Sequence, residues 1–120
     1  MYIRFQGLRQ NDSSASRLGL FQLAIELRDE GDIPSYSHDR LVMHLAWLME
    51  HLKSPKILRE RQHHRAISWF HPRAKEPLRH VRAIKAILEE AGYNIEQVET
   101  RDPGIVIYED SWQVVAKPKK

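Results

Sequence analysis

The stretch PGIVIYEDSWQVVAKP, residues 103–118, constrains the fold more than any other part of the chain. Two apolar runs flank Glu109-Asp110-Ser111, and Asp and Ser favour turns because their side chains bond nearby backbone groups. The spacing predicts an antiparallel hairpin with its turn over Glu109 to Trp112 and Asp110 and Ser111 at the centre. Tyr108 then faces Gln113, Ile107 faces Val114 and Val106 faces Val115. One face carries Ile105, Ile107, Trp112, Val114 and Ala116, and the other Val106, Tyr108 and Val115, so both are apolar. A half-exposed sheet alternates more cleanly, which means that helices or another chain must cover the second face. Val106, Tyr108 and Val115 are therefore the candidate association surface.

The remaining segments add helices to that sheet. Ile3 and Phe5 alternate with Tyr2, Arg4 and Gln6 as a first strand ending at Gly7. After QNDSSAS, where Ser13 or Ser14 can cap, Leu18, Phe21 and Ile25 recur at helical spacing to Gly31, an apolar arc wide enough to be covered on more than one side. A second helix is expected from SYSHDRL, with Ser37 as N-cap, Tyr36 stapled to Leu41, and Leu41, Leu45, Leu48 and Leu52 as its packed stripe. KSPKILRERQHHR reads as a loop and RAISWF as a short strand. Pro77 suits the first position of a third helix running through Val81, Ile84 and Leu88 to Gly92. YNIEQVET follows as a strand parallel to RAISWF or one place from it, across a right-handed crossover. The fold class is α+β in the order β-α-α-β-α-β-β-β: a mixed, mostly antiparallel sheet, three helices and a C-terminal hairpin. At 120 residues this is one domain, residues 1–117, followed by a basic tail, residues 118–120.

The 42% hydrophobic and 29% charged residues are ordinary for a globular domain. No cysteine is present, which excludes disulfides and thiolate metal sites and fits a reducing cytoplasm. The start MYIRFQG lacks the pattern of a secretory signal, and no apolar run reaches the length of a membrane span.

Seven histidines invite a metal or acid–base reading, which their spacing does not support. His44 and His51 share a helix face but stand seven residues apart, about 10 Å, whereas two ligands of one ion need spacings of three or four. His63 and His64 are adjacent, His71 and His80 scattered, and no metal or cofactor is assigned. Phosphate loops, dinucleotide fingerprints and nucleophile elbows are missing, and no catalytic residue is assigned. Glu109 and Asp110 with Lys117 loosely suggest a divalent-metal-dependent hydrolase or nuclease, yet Lys117 lies about 17 Å along the strand from the turn.

Charge is the strongest functional signal. Residues 53–85 hold ten lysines and arginines against two glutamates, a net of +8, and residues 86–110 hold seven acids against Arg101, a net of −6. Lys75, Arg79, Arg82 and Lys85 fall on the helix face opposite Val81, Ile84 and Leu88. With Arg59, Arg61 and Arg65 they form a candidate polyanion-binding surface, suited to sequence-indifferent, salt-sensitive contact with nucleic acid. The alternative is a solvated helix face neutralised by the acidic window.

GLFQLAIELRDEGDIPSY, AISWFHPRA and DPGIVIYEDSWQVVAKP together resemble a family of small uncharacterised bacterial proteins, with Pro77 and KPKK as departures. The resemblance implies a bacterial cytosolic protein and carries over no activity, cofactor or site residue. The expected function is a non-catalytic binding or regulatory module acting through self-association, a protein partner or a polyanion. A small metal-dependent hydrolase or nuclease is the alternative.

Overall fold

A computed structural model describes residues 1–8, 18–53 and 66–119 of the chain. In order these form β1 (Tyr2–Leu8), β2 (Leu18–Gly19), α1 (Leu20–Glu30), α2 (Ser35–His51), β3 (Ile67–Phe70), α3 (Lys75–Glu90), β4 (Asn94–Thr100), β5 (Ile105–Glu109) and β6 (Gln113–Lys117). The expected α+β class and element order hold, with the two-residue β2 added. Every strand pairing is antiparallel, so the sheet is not mixed. Among the described residues no helix is long and apolar enough to cross a membrane.

β1 is the hub. Its alternation buries Ile3, Phe5 and Gly7 on one face. One edge pairs with β4 along its whole length, from Tyr2 opposite Thr100 to Leu8 opposite Asn94. The other edge is divided: Ile3 pairs with Phe70 of β3, whereas Gln6 and Gly7 pair with Gly19 and Leu18 of β2. Between these two contacts Arg4 and Phe5 have no strand partner on that side among the described residues. The sheet continues from β3 to β6 and from β6 to β5. Since β3 and β4 are each antiparallel to β1, they run parallel to one another one place apart, as the strand-helix-strand order predicts.

The helices cover the face that carries Ile3, Phe5, Phe70 and Ile95. Leu20, Leu23 and Leu27 of α1, Leu41, Leu45 and Leu48 of α2, and Leu78, Val81, Ile84 and Leu88 of α3 join those residues in one buried cluster. Each side chain recurs at three- or four-residue spacing, the period that keeps one helix face on the core. Full burial of such a side chain stabilises the fold by about 1.5–3 kcal/mol.

Helix ends depart from the sequence reading for local reasons. α1 starts at Leu20, not Leu18, because Leu18 and Gly19 are taken up by β1. Ser13 and Ser14 lie outside the described residues. α2 starts at Ser35 behind Pro34, whose carbonyl accepts the His38 N–H at 3.0 Å. Proline's fixed φ suits a chain entering a helix, and it displaces Ser37 from the cap into the buried first turn. Tyr36 is 62% exposed, so it does not staple Leu41. Pro77 is the third residue of α3 and not the first, still within the turn where a missing N–H breaks no helical bond. Gly92, at φ 98°, supplies the left-handed stop beyond α3.

The hairpin forms, in a different register. Tyr108 lies opposite Val115 and Glu109 opposite Val114, while Val106 lies opposite Ala116 across a bulge at Ile107. One extra residue on β5 re-aims the side chains beyond it. Val115 is 1% exposed, shares its face with Tyr108 and belongs to the interior, which corrects its assignment to an association surface. Ile105 and Val106 are the exposed pair, at 58% and 46%.

In the β1–β4 ladder, a Cβ added at Gly7 would overlap the Asn94 carbonyl oxygen. Gly7→Ala is expected to lose about 2–3 kcal/mol, because the ladder must part to admit the methyl. Gly19, with nothing within 4 Å of an added Cβ, should tolerate alanine to within about 0.5 kcal/mol. Urea titration of the two variants beside the parent checks both values.

Candidate functional site

The fold brings together histidines that the sequence separates. His44 on α2 and His80 on α3 are both buried, and their Nδ1 atoms lie 2.9 Å apart. One must donate and the other accept. His80 Nε2 is buried with no partner, so the tautomer that avoids an orphaned N–H has His80 donating from Nδ1 to His44, which carries its own proton on Nε2. Trp47 stacks on His80 at 4.2 Å between ring centres and on His51 at 4.1 Å, and Trp112 lies 5.9 Å away. The rings on either side of Trp47 are therefore His51 of its own helix and His80 of α3, while His44 is partnered by His80.

Electrostatics keep this pair neutral. Burial, then the charges of His80, Arg40 and Arg79, push the His44 imidazole below its ordinary value. Burial and Arg79 push His80 the same way, against a smaller opposite effect of Glu76. An added proton also has a bonding cost: whichever ring accepts it, His80 Nε2 must then carry a buried N–H. Among the described residues no group of three or more histidines and acids is placed to share a metal ion. The arrangement is a neutral imidazole pair locking α2 to α3.

The hairpin acids have structural partners. Asp110 Oδ1 accepts the Trp112 and Gln113 N–H groups, each at 2.9 Å, and Oδ2 accepts the Tyr108 hydroxyl at 2.7 Å. Burial alone would raise the Asp110 carboxyl, but these donors outweigh it and hold the group below the usual carboxylate range. The Asp110 N–H donates to the Gln113 carbonyl at 2.9 Å, which places Ser111 and Trp112 at the turn centre instead of Asp110 and Ser111. Glu109 Oε2 lies 3.0 Å from Nε2 of the buried His71, at an angle that makes no hydrogen bond. Lys117, at the opposite end of β6, pairs with Ile105. The Glu109, Asp110 and Lys117 set therefore does not converge.

The basic stripe is partly neutralised. Arg79 Nη2 donates to Glu76 at 3.1 Å and Lys85 Nζ to Glu89 at 3.0 Å, both within α3. Lys75 and Arg82 are exposed beside them. Arg59, Arg61 and Arg65, with His63 and His64, lie outside the described residues, as does Lys120. Lys119 pairs with Asp102 at 2.9 Å.

The sheet edges differ sharply. β4 presents Asn94, Glu96, Gln97 and Glu99 as exposed residues, the charged and polar guard that discourages further strand pairing. β5 presents Ile105 and Val106. Ile105, expected beside Ile107 and Val114, is instead exposed, and its only signal in the sequence is the pair of consecutive apolar residues next to Gly104. Compared with protein-family models, curated proteins and solved structures, the chain matches none.

Both polar clusters can be tested. A histidine held below its unfolded pKa adds no pH dependence above about 6.5, where both states are neutral, but the unfolded chain takes up the proton first as pH falls. The protein should therefore melt lower at pH 5.5 than at pH 7.5, and His44→Leu/His80→Leu, which removes both partners, should flatten that profile in a melting series. Asp110→Ala should cost about 1–2 kcal/mol by leaving two turn N–H groups without their acceptor, and Asp110→Asn, which keeps one oxygen, much less. Chemical denaturation with and without magnesium checks this: a magnesium-dependent stabilisation lost in Asp110→Asn would contradict the turn role.

Proposed function

We propose that the protein is a small non-catalytic binding module that self-associates through the open edge of its sheet, β5. The carrying observation is the asymmetry of the two edges. An edge strand offers unpaired N–H and C=O groups, and chains usually blunt it with charge. β4 follows that rule along its length, whereas β5 has a charge only at Glu109 and breaks the rule at its other end, with Ile105 at 58% and Val106 at 46% exposure. A second copy related by a twofold axis meets the same patch antiparallel, the direction every pairing in this sheet already takes. The Ile107 bulge confines the flat part of that edge to the Ile105 end, so the contact is short and side-chain burial must supply much of its stability.

A bacterial cytoplasmic setting, implied by the resemblance noted above, belongs to this proposal. Polyanion binding has less support, since Arg79 and Lys85 already have carboxylate partners. The metal-dependent hydrolase has less still, since Asp110 is committed to its turn.

Light scattering across a concentration series should return twice the mass of the chain at tens of micromolar, and Ile105→Lys/Val106→Lys should return a single folded chain whose melting temperature, unlike the parent's, does not rise with concentration. A parent protein that stays monomeric throughout rejects this reading.

A further inference from the structure

The divided edge of β1 opens onto a cavity of about 270 Å³. Consecutive strand residues point to opposite faces of a sheet, yet both Arg4 and Phe5 of β1 and both Ser68 and Trp69 of β3 line this one space. The cavity therefore passes through the plane of the sheet, in the gap left where β1 pairs with β3 only at Ile3 and with β2 only from Gln6. Its walls change character along that path. At the helix side it meets Phe5, Leu20 and Val81, all members of the buried cluster. At the other side stands Arg4, whose guanidinium carbon lies 5.6 Å from the centre of the Trp69 ring.

Arg4 is half-buried, and no carboxylate among the described residues pairs with it. Burial disfavours its charged form, which lowers its pKa, and no acid among the described residues offsets the effect. A cation in that position is expected to have an anionic partner, because desolvating an unpaired charge is costly. The backbone points the same way. In a strand, the N–H and C=O of alternate residues face alternate edges, so one of Arg4 and Phe5 turns its backbone groups into the gap. The seam thus combines a small apolar chamber, a cation at its mouth and a peptide group on its wall.

We propose that this cavity is a binding site for a small ligand with an apolar body and a carboxylate, its body against Phe5, Leu20 and Val81 and its carboxylate at Arg4. The chamber is slightly smaller than the ~300–1,000 Å³ of most ligand pockets, which selects a single ring or a short acyl chain. Arginine's planar fork suits a carboxylate with two parallel bonds, and the Trp69 ring beneath it holds the plane. This site is independent of the β5 edge and stands or falls separately from self-association.

The probes are phenylacetate and hexanoate, each beside its uncharged amide, with binding followed through the Trp69 indole N–H and the Arg4 Nε–H in two-dimensional NMR. Both acids should shift these signals with saturation below about 10 mM, and each amide should bind at least tenfold more weakly. Arg4→Gln should erase the preference for acid over amide, and Arg4→Lys, which keeps the charge, should retain part of it. Ser68→Phe, which fills the chamber from its exposed wall, should abolish binding of all four probes. No saturable shift at Trp69 for either acid overturns the proposal, as does an acid preference that survives Arg4→Gln or binding that survives Ser68→Phe.

Discussion

The single pairing of Ile3 with Phe70 is the constraint on which the rest of the sheet depends. On one side of it β1 and β4 form a seven-residue ladder, and on the other β3, β6 and β5 form a second block. One residue pair supplies too few hydrogen bonds to hold two such blocks in plane. The helices do that work from one face: Ile3 and Phe5 from the first block and Phe70 from the second enter the same buried cluster as the leucines of α1, α2 and α3. Packing therefore substitutes for pairing along the seam. Leu20 starts α1 directly after β2 and lines the inner side of the gap.

Polar residues that suggest chemistry in the sequence are largely consumed by this architecture. Two buried histidines satisfy one another between α2 and α3. Asp110 gives its oxygens to the turn it begins and to Tyr108. Gln113, buried on β6, donates to the Lys53 carbonyl at 2.6 Å and ties the end of α2 to the sheet. Each of these groups has a polar partner in the fold before any ligand is considered, whereas among the described residues Arg4 at the seam has only the Trp69 ring and no carboxylate, and the Ile105 edge has no paired strand. Residue type alone points to the first set, and residue surroundings point to the second.

Much of the fold was legible in the sequence because periodicity is a direct record of burial. The alternation of Tyr2 to Gln6, the leucine stripe of α2 and the apolar face of α3 all appear where their spacing places them. What escaped depends on contacts distant in the chain or on single residues. β2 is two residues long and exists only because β1 is there to pair with it. The bulge at Ile107 leaves no compositional trace, yet it changes which valine faces Tyr108. Pro34 and Ser37 both resemble helix starts, and only the buried position of Ser37 decides between them. His44 and His80 are 36 residues apart, so no local spacing rule could unite them. The gap at Arg4 is likewise a property of three strands together and of none alone.

The β1–β4 ladder has a kinetic consequence. Its partners are far apart in the chain, as in the bond from Gln6 Nε2 to Glu96 Oε1 across 90 residues. During synthesis β1 waits for a strand made some 90 residues later, with the intervening helices already able to form. Closing so long a loop delays the step that completes the sheet, because its entropy must be spent before the ladder returns any stability. Through that interval β1 carries an open hydrogen-bonding edge and an apolar face, and the nascent chain is at its most exposed to pairing with the wrong strand. Residues 94–100 therefore act as a late-arriving seal, and their acids protect the finished edge that an earlier intermediate lacks.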